Sequence, residues 1–181
     1  MSLILNKVNF FPVEVYSVTV EKHTCDEIVK IVEEEKNNWD KDLLNVKAKT
    51  SGWNGLRFPI IKEISNFSCK EILPKIYSTG EWKCEEAWIN YYQEGDYTHV
   101  HNHASKTYSA VLIAKTKCNA LVFENIANIY SLGNYKKIHN NEKINEQDGL
   151  FIFFPSWLFH SVEKCTDERI TVAFNFYNED Y

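Results

Sequence analysis

From Trp82 to Tyr177 the chain divides into strand-length runs rich in aromatic and β-branched residues. They fall at 82–93, 97–103, 107–114, 119–124, 127–131, 150–154, 159–164 and 169–177, and Gly, Asn and Asp separate several of them. The first 80 residues read differently. Residues 8–20 form a strand with Pro12 at an edge or bend. Thr24-Cys25-Asp26-Glu27 has the form of a capping box, and Ile28, Val29, Ile31 and Val32 then give an amphipathic helix to about Asn38. Residues 39–57 are polar, hold Gly52 and Gly55, and predict a loop over the core. A second helix runs from Phe58 to Tyr77, with Ile61, Ile64, Phe67, Ile72 and Ile76 on one side and Pro74 kinking or splitting it. Helices followed by about eight short strands predict an α+β, mainly β chain, its helices packed outside a sandwich or jelly roll.

Composition narrows the function classes. A length of 181 residues suits a single domain, with the N-terminal strand and helices in 1–80 and a β-core in 81–177. A formal net charge of −5 argues against nucleic acid as the main partner. No apolar run is long enough to span a bilayer, and Met1 to Phe10 lacks a basic region followed by a long apolar core. A cytoplasmic protein with no membrane partner is therefore expected, and a homodimer stays open. The five cysteines, Cys25, Cys69, Cys84, Cys118 and Cys165, are odd in number and contain no CxxC pair. They predict reduced, mostly buried thiols rather than a cysteine-based zinc site.

Chemistry concentrates in Thr98-His99-Val100-His101-Asn102-His103, where three of the six histidines alternate. Alternate residues of a strand share a face, and residues two apart emerge ~6–7 Å apart, close enough for their imidazoles to meet on one ion. Histidine suits first-row divalent metals. His160 follows the apolar run Leu150 to Phe154, which reads as a central strand, and can close one face of the coordination sphere. Either His99/His101 or His101/His103 can form the neighbouring pair; an edge strand with exposed histidines is the reading without a metal. His23 and His139 read as surface residues. Arg169-Ile170-Thr171 puts a guanidinium and a hydroxyl on one strand face, which suits a carboxylate ligand, while a salt bridge to Glu163 or Asp167 is the alternative. Asn90, Tyr92, Tyr108 and Asn175 are further candidates for pocket hydrogen bonds, and Trp157 falls either beside the site or in the core.

Trp88-Ile89-Asn90-Tyr91-Tyr92, His101-Asn102-His103, Tyr108-Ser109-Ala110-Val111, the stretch from Gly149 to Val162, and Arg169 to Asn175 share an order and spacing. Together they resemble a signature of the 2-oxoglutarate/Fe(II)-dependent oxygenases, most closely the branch common in marine bacteria and their phages. The likeness covers roughly residues 82–177. It implies a double-stranded β-helix, which is a small jelly roll, and a hydroxylase that uses Fe(II), 2-oxoglutarate and O2 on an unnamed prime substrate. It selects His101 and His103 as the pair, because the family's serine, here Ser109, stands six positions after the second histidine. With His160 these become the metal ligands, and with Arg169 the catalytic set. Arg169 and Thr171 become the grip on the distal carboxylate of 2-oxoglutarate, with Asn90, Tyr92, Tyr108 and Asn175 around it. His99 becomes a neighbouring or surface group. Most related oxygenases carry two histidines and one carboxylate; here His103 stands at the carboxylate position. Two other readings are a three-histidine dioxygenase of the cupin type, without 2-oxoglutarate, and a non-catalytic jelly-roll binding module. A dicarboxylate anchor at Arg169 separates the first reading from the cupin type. Segments 39–57 and 132–148 are long enough to act as lids.

Overall fold

The computed structural model describes residues 6–10, 13–41, 44–103, 105–125 and 141–180. Its strands are β1 (Asn6–Phe10), β2 (Val13–Thr19), β3 (Asp40–Lys41), β4 (Val46–Lys47), β5 (Lys49–Thr50), β6 (Trp82–Tyr92), β7 (Tyr97–His101), β8 (Tyr108–Thr116), β9 (Leu121–Phe123), β10 (Glu142–Lys143), β11 (Leu150–Pro155), β12 (His160–Val162) and β13 (Arg169–Asn178). The helices are α1 (Lys22–Glu35), α2 (Pro59–Phe67) and α3 (Leu73–Ile76). An eight-stranded sheet has the order β1-β2-β11-β8-β13-β6-β5-β3, and a five-stranded sheet the order β10-β9-β12-β7-β4. The mainly β fold with helices outside agrees with the expectation.

Period-two alternation explains how the larger sheet serves both a core and a cavity. On β13, Ile170, Val172, Phe174 and Phe176 pack beneath the helices, against Leu112, Phe151 and Phe153 and against Ile28, Val32 and Ile61. The intervening Arg169, Thr171, Ala173 and Asn175 line a cavity on the other face. Toward the smaller sheet, Val13, Val15, Ile152 and Phe154 meet Leu121, Phe123 and Leu158. Burial on both faces is why β11 reads as a nearly continuous apolar run.

Several local expectations change. Residues 8–20 form a hairpin of β1 and β2 rather than one strand; Pro12 lies outside the described residues, as does the run 127–131. The capping box is displaced: α1 begins at Lys22 with Glu21 as its N-cap, and Thr24, 1% exposed, lies inside the helix. Thr24, Cys25, Ile28 and Val32 form the stripe that packs inward, and that packing sets the start of the helix. Residues 39–57 are not simply a loop. Thr50 pairs with Asn90 and Val46 with Thr98, so this segment supplies short edge strands to both sheets. Its polar sequence suits short edges exposed on one side. The second helix splits into α2 and α3 around a π turn at Ser68–Ile72. Pro74 has no N–H and its ring excludes the carbonyl four residues earlier, so the backbone widens just before it. The five cysteines are free, Cys25 and Cys165 buried and the other three half-buried.

One glycine is required by a close approach. Asn54 bridges Ala87, and a Cβ on Gly55 would lie 2.5 Å from the Ala87 carbonyl oxygen. This contact seats Trp53 against Trp88, ring centroids 4.6 Å apart and nearly perpendicular. Gly55→Ala is expected to destabilise the protein by about 1–3 kcal/mol, read by urea unfolding. An unchanged midpoint would show that the segment shifts freely.

Candidate metal centre

The two sheets bring the histidines together through one pair and one irregularity. His101 lies directly opposite His160 across β7 and β12. Between that pair and Thr98–Val162, β7 carries two residues, His99 and Val100, against Ser161 alone. This bulge re-aims the chain, so that Thr98 and His101 both line the cavity where strict alternation would oppose them. His99 turns away and packs edge-on against Tyr97, ring centroids 5.0 Å apart. His103 lies past the end of β7. Its backbone N–H donates to the Ser156 carbonyl at 2.7 Å, and its ring stacks against Trp88 (5.8 Å) and His160 (5.3 Å). The expected strand over 97–103, with three histidines on one face, is therefore corrected. Strand geometry delivers His101, and a loop contact delivers His103.

Ligand nitrogens of His101, His103 and His160 all lie within 4.8 Å of one another. His101 Nδ1 bonds to the His99 carbonyl (2.8 Å) and His160 Nδ1 to the Leu158 carbonyl (3.0 Å). A carbonyl only accepts, so both Nδ1 atoms carry the proton and each Nε2 keeps its lone pair. Burial pushes His101 below the usual imidazole range, His103 down to about 4, and His160 well below its ordinary value. Three neutral imidazoles converging in this way fit a first-row divalent ion such as Fe(II).

Arg169, 1% exposed, reaches the same cavity. Its Nε donates to Glu146 Oε2 at 2.6 Å, and Glu146 Oε1 accepts the backbone N–H of Ala120 (2.8 Å) and Leu121 (2.6 Å). The guanidinium lies over the Tyr92 ring, 5.2 Å from its centroid. Burial works against its charge, but the Glu146 carboxylate prevails and holds its pKa above the ordinary value. Among the described residues, Nη1 and Nη2 are buried with no partner, and so is Asn90 Oδ1. Unmet buried donors cost about 1–3 kcal/mol each, and two on one planar fork match a carboxylate. That fits the distal carboxylate of 2-oxoglutarate. Glu163 and Asp167 pair with Lys143 (2.7 Å) and Lys117 (3.7 Å), so neither is the partner of Arg169.

The remaining expected residues divide. Asn90, Tyr92, Thr171 and Asn175 line the cavity. Tyr92 bonds through its hydroxyl to Thr98 Oγ1 at 2.9 Å. Asn175 Oδ1 accepts from Ser109 Oγ (2.9 Å), and its Nδ2 donates to Glu86 (3.0 Å). Tyr108 does not join them. It faces the helix side of β8 and packs against Trp82, ring centroids 5.9 Å apart, because alternation gives the cavity face to Ser109. Trp157 is 39% exposed and belongs to neither the core nor the cavity. His23 is exposed as expected, and His139 lies outside the described residues. Sequence reasoning missed Trp53 and Ser109 as cavity residues, and it missed Glu146 altogether. Ser109 was marked by its spacing from His103 but not placed in the cavity; Glu146 sits in a polar segment with no pattern to mark it.

A family model described as "Putative 2OG-Fe(II) oxygenase" matches residues 86–175. The chain belongs to the 2-oxoglutarate/Fe(II)-dependent oxygenases. No curated protein matches it in sequence. Among solved structures, this oxygenase is similar to a prolyl-4-hydroxylase of Pseudomonas putida, with TM-score 0.67 and 10% identity over 97% of this chain and 92% of that one. A viral collagen prolyl hydroxylase from Paramecium bursaria Chlorella virus-1, in complex with 2-oxoglutarate, gives 0.61 and 11% over 95% and 94%. HygX from Streptomyces hygroscopicus, with nickel and 2-oxoglutarate bound, gives 0.69 and 8% over 92% and 84%. At such identities the likeness is one of fold, and it agrees with the jelly roll expected for this oxygenase. Among the described residues, no helix is long and apolar enough to cross a membrane.

Proposed function

We propose that this oxygenase is a hydroxylase in which His101, His103 and His160 hold Fe(II) and Arg169 anchors 2-oxoglutarate. The observation that carries the reading is a buried guanidinium with two free donors in the same cavity as three converging imidazoles. Fe(II), 2-oxoglutarate and O2 supply the oxidising power for C–H hydroxylation; the protein supplies position and exclusion of water. His101 and His160 present Nε2 because backbone carbonyls fix their tautomers. Arg169 and Thr171 take the far carboxylate, Tyr92 backs the guanidinium, and Asn90 offers its carboxamide. Phe154 and Trp88 form apolar walls that keep water out.

The prime substrate docks, in this reading, in an outer cavity lined by Asn45, Trp53, Glu86, Asn102 and Lys106, which shares His101 and His103 with the inner one. Trp53, 45% exposed, is its one large apolar side chain, and the rest of the lining is polar or charged. That lining suits a substrate with hydrogen-bonding groups beside an apolar one; a substrate screen in which strictly apolar compounds couple best would count against this.

Protein loaded with Fe(II) is expected to bind 2-oxoglutarate and to release succinate slowly without a prime substrate, read by calorimetry and by succinate assay. Absence of both would overturn the reading. The cupin-type alternative has no use for a dicarboxylate anchor.

A further inference from the structure

Glu146 invites a question that the hydroxylase reading leaves open. A buried carboxylate beside the cation that binds an anionic co-substrate opposes that binding unless something else requires it. Its side chain is 0% exposed, its two oxygens accept three hydrogen bonds, and it neutralises Arg169 within a cavity wall. The answer lies at the other end of the cavity, where His103 occupies the position that most related oxygenases give to a carboxylate.

Resting on the hydroxylase reading, we infer that Glu146 supplies the negative charge that His103 withholds, and that it is a charge-balancing and positioning residue for 2-oxoglutarate. In the common arrangement, a divalent ion with one carboxylate ligand carries a single net positive charge, and the arginine carries a second. The 2-oxoglutarate dianion balances the two. Here the three ligands are neutral imidazoles, so the ion keeps both its charges and by itself balances the dianion. The charge of Arg169 would then stay uncompensated in a buried cavity, which is costly. Glu146 removes that excess without touching the metal. By accepting from Nε alone, it also leaves Nη1 and Nη2 free as the paired donors that a carboxylate needs. Orientation alone would not require a charge, since a neutral acceptor could hold Nε. The pairing of Glu146 with a third histidine is what charge balance explains.

A double-mutant cycle on the 2-oxoglutarate dissociation constant tests this, measured by calorimetry with saturating Mn(II) under exclusion of oxygen. His103→Asp restores the usual ligand set, yet it is expected to weaken 2-oxoglutarate about tenfold, the order of effect of one excess charge across a partly screened cavity. Glu146→Gln alone keeps an acceptor for Nε but removes one negative charge, and is expected to tighten 2-oxoglutarate about tenfold, so the double variant returns to about the native constant. A merely structural Glu146 predicts that Glu146→Gln weakens binding by releasing Arg169, and weakening would overturn the proposal while leaving the hydroxylase reading intact. Where Glu146→Gln fails to fold, His103→Asp alone decides: unchanged or tighter binding overturns the proposal. Failure of the unaltered protein to bind 2-oxoglutarate overturns the hydroxylase reading and this inference with it.

Discussion

His160→Ala is expected to abolish tight metal binding, lowering Fe(II) or Mn(II) affinity by well over ~100-fold, beyond what loss of an outer-shell partner produces. His160 is the only member of the trio from β12, and it stands opposite His101 in the sheet register. Its removal leaves two ligands from a single short segment, which cannot close a face of the ion. The side chain is 5% exposed and makes one hydrogen bond to the Leu158 carbonyl, so the fold should lose only about 1–3 kcal/mol. Metal titration alongside circular dichroism separates the two effects. A folded variant with native affinity would remove His160 from the ligand set. His99→Ala is the control and should leave affinity within about twofold, because that ring packs on Tyr97 rather than in the cluster.

Arg169→Met should have the second large effect, and on two quantities at once. Affinity for 2-oxoglutarate should fall by ~100-fold or more, as expected when a desolvated bidentate charge pair loses one partner. Stability should fall by about 3–5 kcal/mol, because Glu146 is left buried without its cation. The combined variant Arg169→Met/Glu146→Gln removes both charges and should regain most of that stability while still failing to bind 2-oxoglutarate. Urea unfolding reads the stability and calorimetry the affinity for 2-oxoglutarate. If Arg169→Met binds 2-oxoglutarate normally, the anchor lies elsewhere; if the double variant is no more stable than the single, the pair is not coupled as the geometry implies.

How far the site was legible depends on the range of the forces that place each residue. Arg169 and Thr171 share the cavity face of β13 because strand alternation is a local rule, and His160 follows β11 as its apolar run implied. Tyr108 was misassigned by one residue within a correctly located strand, and one residue is a whole change of face. The split of the second helix near Pro74 was legible from the proline, whereas α1 begins almost a turn before its capping pattern, since core packing sets that end.

By itself, the sequence determined the two helical stretches before a β-rich core, the mainly β class, and the residues that could bind a metal and a carboxylate. These follow from side-chain periodicity and intrinsic chemistry, which act within a few residues. Only the tertiary structure decided which histidines converge and what holds Arg169. The bulge at His99 and Val100 exists because β7 pairs with β12, more than fifty residues away in the chain. Glu146 meets Arg169 because Ala120 and Leu121 at β9 hold its other oxygen. Both are pairing events between distant segments, enforced by hydrogen-bond satisfaction in a buried space, and no local pattern encodes them.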